Sequence, residues 1–164
     1  MNQTQLADIN DRILTPALAL LPAAMDSLSR RRLLLTIGEQ ETDFATTVQY
    51  GNGPAHSYWQ DEEMGGIRGV LDHPHTHALA VELCTRFGVA PDHHSVWLAF
   101  ASPDFSVMAA AWAALLLLCD PAPLPTNCTA GLYCYLRNWR PGKPHPASWP
   151  AYWNAASAAL SLPA

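Results

Sequence analysis

The chain has 164 residues, of which 49% are hydrophobic and 14% charged, and carries a net charge of −5. That composition excludes a disordered polymer and suits one folded domain over residues 1–164, large enough to build a core without disulfide or metal staples. The acidic balance, with Lys143 as the sole lysine, argues against nucleic acid as the main partner, because phosphate contacts need clustered cations.

The first residues, Met1 to Asp8, lack a basic patch followed by an apolar run, so no signal peptide is expected. Thr15-Pro16 opens an Ala/Leu-rich helix running to Met25, and Asp26 to Ser29 punctuates the chain. From Ser29 through Phe44 the pattern is again helical. Leu34, Ile37, Gly38, Glu41, Phe44 and Ala45 recur at intervals of three and four and share a face, while Glu39 and Asp43 fall largely on the other side. Glu41 is therefore a carboxylate on an apolar stripe. Lost hydration raises the pKa of such a group, and a carboxyl that keeps its proton can serve as a general acid. The plainer alternative is a carboxylate at a helix end reaching solvent.

Thr46 to Asp72 shows little helical period and holds Gly51, Gly53, Gly65, Gly66 and Gly69 together with Tyr50, Tyr58 and Trp59. A long irregular stretch inside a compact domain is usually functional. Pro74 opens an amphipathic helix closed by Gly88, and Pro91 begins another carrying Val96, Trp97 and Phe100. Ser102-Pro103-Asp104 caps a helix from Phe105 to Leu118 that is apolar nearly all round, which marks it as the central, buried one. It is shorter than the ~20 residues of a membrane span. Thr126 or Asn127 caps a helix through Trp139, and a last helix runs from about Pro150 to Leu160. No strand-like alternation of useful length is present, so the fold class is all-α, arranged around the central helix at about 105–118. Cys84, Cys119, Cys128 and Cys134 have no C-x-x-C spacing and read as reduced, small buried residues.

Thr36 to Phe44 resembles the Ala-Ile-x-Gln-Glu-Ser-x-Phe motif of lytic transglycosylases and goose-type lysozymes, with Glu41 at the catalytic glutamate. Gly53-Pro54-Ala55-His56-Ser57-Tyr58-Trp59-Gln60 is similar to the next motif of that lysozyme-like superfamily, Gly-Leu-Met-Gln-Ile or Gly-Leu-Trp-Gln-Phe. It also resembles Gly-Pro-Ala-x-x-x-Trp-Gln segments of lysozyme-like proteins encoded by tailed bacteriophages. In that alignment Gln60 matches the motif glutamine and Ser57 replaces the glycine. Tyr135 occupies the place of the tyrosine in a third motif, Ala-Tyr-Asn-Ala-Gly, without the asparagine that follows it there.

The resemblance implies a lysozyme-like helical domain that cleaves the glycan strand of peptidoglycan as a muramidase or lytic transglycosylase. Glu41 would be the proton donor. Gln60 would bind an N-acetyl or hydroxyl group, Tyr135 would orient Glu41 or the sugar, and Tyr58 and Trp59 would stack on sugar rings or fill the core. A second carboxylate is sought among Asp61, Glu62 and Glu63, and Glu62 is the choice, against a solvated acidic turn. The implied partners are bacterial peptidoglycan and other proteins of a phage virion. The implied location is the virion, or the host cytoplasm before release to the periplasm. The alternative is an inactive structural or glycan-binding component of a phage particle. No cofactor is expected. His73, His75 and His77 alternate by two and so do not share one helix face, and no metal site is expected from them.

Overall fold

The computed structural model describes residues 1–51 and 53–162, and it is mostly helical with a single two-stranded sheet. Helix α1 (Gln3–Ile9) starts on a reciprocal cap, in which the Asn2 side chain accepts from the Gln5 backbone N–H and the Gln5 side chain accepts from the Asn2 N–H. It continues through a π-helical turn, Asn10–Leu14, into α2 (Thr15–Ala19). The helix thus begins well before the Thr15-Pro16 start expected from sequence. Pro16 lies inside it, and the wider turn before it relieves the clash a proline ring makes with the preceding turn.

Helix α3 (Leu28–Thr42) is capped by Ser27 and runs against α9 (Trp149–Ala159) on one side and α7 (Ser106–Leu118) on another. It is enclosed nearly all round: the whole run from Arg32 to Glu39 is buried. The expectation that Glu39 faces solvent is therefore corrected. Glu39 is 2% exposed, and its Oε1 meets the Met1 amino group at 2.9 Å. Two helices shield α3 from different sides, so its sequence periodicity does not report which face is wet.

α7 is the central helix, with every residue from Met108 to Leu117 buried, and it packs on α2, α3, α4 (Arg68–Leu71) and α5 (His77–Phe87). α6 (His93–Ala99) and α8 (Cys128–Trp139) complete the set. Asp92 and Asn127 cap α6 and α8, and Gly88 closes α5 in the left-handed region at φ +67°. Among the described residues no single helix is long and apolar enough to cross a membrane.

The stretch Thr46 to Asp72 holds a short antiparallel hairpin, β1 (Ala55–His56) with β2 (Asp61–Glu62), followed by a π-helical turn at Glu63–Ile67 and then α4. Strands of two residues are too short for period-two alternation to show in the sequence.

Candidate active site

α3 ends abruptly because Asp43 and Phe44 both adopt left-handed backbone, at φ +50° and +52°. This reversal folds the Phe44 ring back onto Gly38, where a Cβ would run into the ring. Gly38→Ala gains about 1 kcal/mol of helix propensity but has to displace that ring, which typically costs about 1–3 kcal/mol. The expected result is a net loss of stability, read as a lower midpoint in denaturant. A gain would show that the Phe44 turn yields freely.

The turn of the hairpin, Ser57 to Gln60, is pinned from two helices. The Thr42 hydroxyl of α3 donates to the Tyr58 carbonyl at 2.9 Å, and Trp139 Nε1 of α8 donates to the Trp59 carbonyl at 2.8 Å. Trp59 itself is fully buried and donates Nε1–H to the Leu34 carbonyl at 2.9 Å. Its expected stacking on sugar is thereby corrected, since a ring with no exposed surface fills the core. Tyr58 stays half-buried, edge-on to Phe44 with ring centroids 5.6 Å apart. Gln60 is also half-buried, with Nε2 donating to the Ser57 carbonyl at 2.9 Å.

These constraints bring Glu41 and Tyr135 together. The Tyr135 hydroxyl donates to Glu41 Oε1 at 2.7 Å, and its ring lies nearly parallel to Trp149, centroids 5.1 Å apart. Glu41 is half-buried. Burial pushes its carboxyl above the ordinary value, and the tyrosine hydrogen bond opposes that shift. The Tyr135 hydroxyl is itself pushed up, first by burial and then by the Glu41 charge, so it stays a donor.

The enclosed carboxylate of the hairpin is Asp61, which the sequence did not single out. Successive strand residues point to opposite sides, so Asp61 is enclosed at 2% exposure while Glu62 is exposed on the far side of the hairpin. The Ser57 hydroxyl donates to Asp61 Oδ2 at 2.9 Å and accepts from the Trp59 N–H at 3.0 Å. Burial pushes Asp61 up to about 7 from an ordinary 3.8, with the Ser57 bond opposing and the Glu41 charge adding to the rise.

A carboxyl whose folded value is raised favours the fold while it is protonated. That advantage is full below 3.8 and is lost as pH rises through about 7. Asp61→Asn cannot ionise, so its stability relative to wild type should rise between about pH 4 and pH 8, by at most about 4 kcal/mol. Denaturant unfolding at the two pH values checks this, and a difference of the opposite sign would remove the buried-carboxyl account.

Shallow clefts are present near the hairpin region among the described residues. One, of about 460 Å³, lies among Val48, Gly53, Pro54, His56 and Trp97. Another, of about 400 Å³, lies among Met64, Arg68, Asp72, His73 and neighbouring residues. Among the described residues no three His, Cys, Asp or Glu side chains are grouped to hold a metal. His77 instead meets the Leu71 carbonyl at 2.6 Å, and His93 meets Asp72 at 2.8 Å. No family model, curated protein or solved structure matches the chain significantly.

Proposed function

We propose that the protein cleaves the glycan strand of bacterial peptidoglycan, as a muramidase or lytic transglycosylase, with Glu41 as the proton donor. The observation that carries this reading is the Glu41–Tyr135 pair. A half-buried carboxyl at the end of an otherwise enclosed helix is biased by desolvation toward its protonated form and is fixed by a 2.7 Å bond from a tyrosine packed on Trp149. Breaking a glycosidic bond requires a proton on the departing oxygen while positive charge develops on the sugar ring, and Glu41 is suited to that task. Gln60 and Tyr58, half-buried on the turn pinned beside α3, offer an amide and a ring edge to an N-acetyl sugar.

The likeness to lysozyme-like motifs gains a physical sense at Ser57. Its φ is +73°, a conformation suited to the glycine that those motifs carry at this position. On this reading the protein meets the cell wall as part of a phage particle, or after release from the host by a holin-type lysis system.

A second reading, a glycan-binding component of a phage particle without turnover, is favoured by the degraded third motif, in which Leu136 follows Tyr135 in place of the asparagine. Solubilisation of purified peptidoglycan by the wild type and by Glu41→Gln separates the two. Clearing by the wild type alone supports the enzyme, and equal clearing by both proteins ends the role of Glu41. Co-sedimentation with the wall and no clearing by either protein favours the second reading.

A further inference from the structure

His56 of β1 is only 7% exposed, yet it borders the cleft of about 460 Å³ formed with Val48, Gly53, Pro54 and Trp97. Its Nδ1 lies 2.7 Å from the Trp97 carbonyl. A carbonyl only accepts, so Nδ1 carries the proton of the neutral ring and Nε2 is left as an acceptor. Among the described residues no group pairs with Nε2. The walls around it are fixed. The His56 and Trp97 rings stack with centroids 4.1 Å apart and planes 16° apart, and Trp97 Nε1 donates to the Pro54 carbonyl at 2.8 Å. Val48 bridges His56 in antiparallel register. The Ser57 N–H donates to the Phe100 carbonyl at 3.1 Å and the Thr47 hydroxyl to the Ala101 carbonyl at 2.6 Å, which ties the hairpin to the end of α6. With His56 Nδ1 and Trp97 Nε1 both committed, Nε2 is the one polar side-chain atom that these walls leave for a ligand.

We infer that this cleft is a glycan contact in its own right and takes an N-acetylamino sugar, whose amide N–H donates to His56 Nε2 while its acetyl methyl and apolar ring face pack on Val48, Pro54 and Trp97. A single acceptor among apolar and aromatic walls selects a ligand that carries one N–H beside apolar surface. A sugar with a free amine is protonated at neutral pH and would bring a charge that no acid of the lining meets. The choice of sugar rests on the proposed reading, since the wall glycan offers an N-acetyl group on each of its sugars. The path of the chain suits that use. β1 runs from His56 directly into the turn Ser57 to Gln60, which the Thr42 hydroxyl of α3 holds at the Tyr58 carbonyl. The cleft holds the strand equally before and during bond breaking, so it lowers KM and leaves kcat alone.

The test uses the full chain with Glu41→Gln, so that a bound strand is not cut, and chitotriose, the trimer of N-acetylglucosamine, as the probe. Two-dimensional NMR follows the Trp97 indole N–H, the Gly53 amide and the Gln60 side-chain amide through the titration. The Trp97 and Gly53 signals should shift together, and the de-N-acetylated trimer should leave them unmoved. His56→Asn, added to that chain, keeps an amide that can donate to the Trp97 carbonyl in place of Nδ1, but nothing replaces Nε2. It should weaken the affinity read at Trp97 and Gly53 by ~10-fold, the size of one hydrogen bond, without changing the affinity read at Gln60. The ring nitrogens of His56 give a reading that needs no variant. Nε2 should resonate as an unprotonated nitrogen in the free chain and move on addition of chitotriose. Trp97 and Gly53 signals that stay still, an equal response to the de-N-acetylated trimer, or undiminished affinity at the cleft in a folded His56→Asn chain overturns the proposal. Cleft shifts from a protein whose wild type clears no peptidoglycan would end the cleavage reading and leave this site standing, and clearing with an unmoved cleft would do the reverse.

Discussion

Glu41→Gln is expected to lose ~10³-fold in the rate of peptidoglycan clearing while the fold is kept. General acids contribute about 10²–10⁴-fold, and ~10³-fold corresponds to about 4 kcal/mol of barrier. Glutamine matches glutamate in size, and its carbonyl can still accept from the Tyr135 hydroxyl, so the pinned end of α3 is retained. The change removes only the transferable proton, together with a carboxyl whose ionised form burial opposes. The unfolding midpoint should therefore hold or rise slightly while clearing collapses. Dye release from labelled wall, measured beside a denaturant curve, reads both. A variant that clears within a few fold of wild type would dismiss Glu41 as the acid, and one that loses the fold would say nothing special about its proton.

Trp59→Ala should lose about 3–5 kcal/mol of stability, the usual range for a large aromatic removed from a core. That is a large part of the 5–15 kcal/mol that holds a typical domain together. The indole is fully buried, and its Nε1–H satisfies the Leu34 carbonyl inside α3. Truncation leaves a cavity, removes the bond that ties the indole to α3, and loosens the turn that Thr42 and Trp139 hold in place. Trp59→Phe keeps much of the volume and loses only the donor, so its cost should be clearly smaller. The measurement is the midpoint of thermal or denaturant unfolding. A loss under about 1 kcal/mol for Trp59→Ala would contradict the core role and return the ring to the sugar-stacking role that the motif suggested.

The helices were largely legible because their signals are local. Ser102, Asn127 and Gly88 mark ends that the structure keeps within a few residues, and the unbroken apolar run before Leu118 marks the central helix. A local signal was also present at Asn2 and Gln5, whose spacing is that of a reciprocal cap. The helix that starts there passes through Pro16, because a π-helical turn absorbs that proline. Glu39 was misplaced because a carboxylate can be buried wherever a cation reaches it, and here the partner is the Met1 amino group.

Within the site, Glu41 and Tyr135 could be named from their motifs, but the 94-residue separation across their bond is closed only in the folded chain, where α3 and α8 both pack on α9. Asp61, Glu62 and Glu63 form a run with no phase of its own. Which acid turns inward is fixed when the hairpin is docked by Thr42 and Trp139, residues distant in the chain. The sequence by itself determined the helical character, the buried central helix and the identity of the candidate acid, since each follows from neighbours a few positions away. The tertiary structure alone decided that Asp61 is enclosed, that Glu62 faces out and that Trp59 is core. The side a short strand presents depends on what it is packed against, and that information is not carried by the strand.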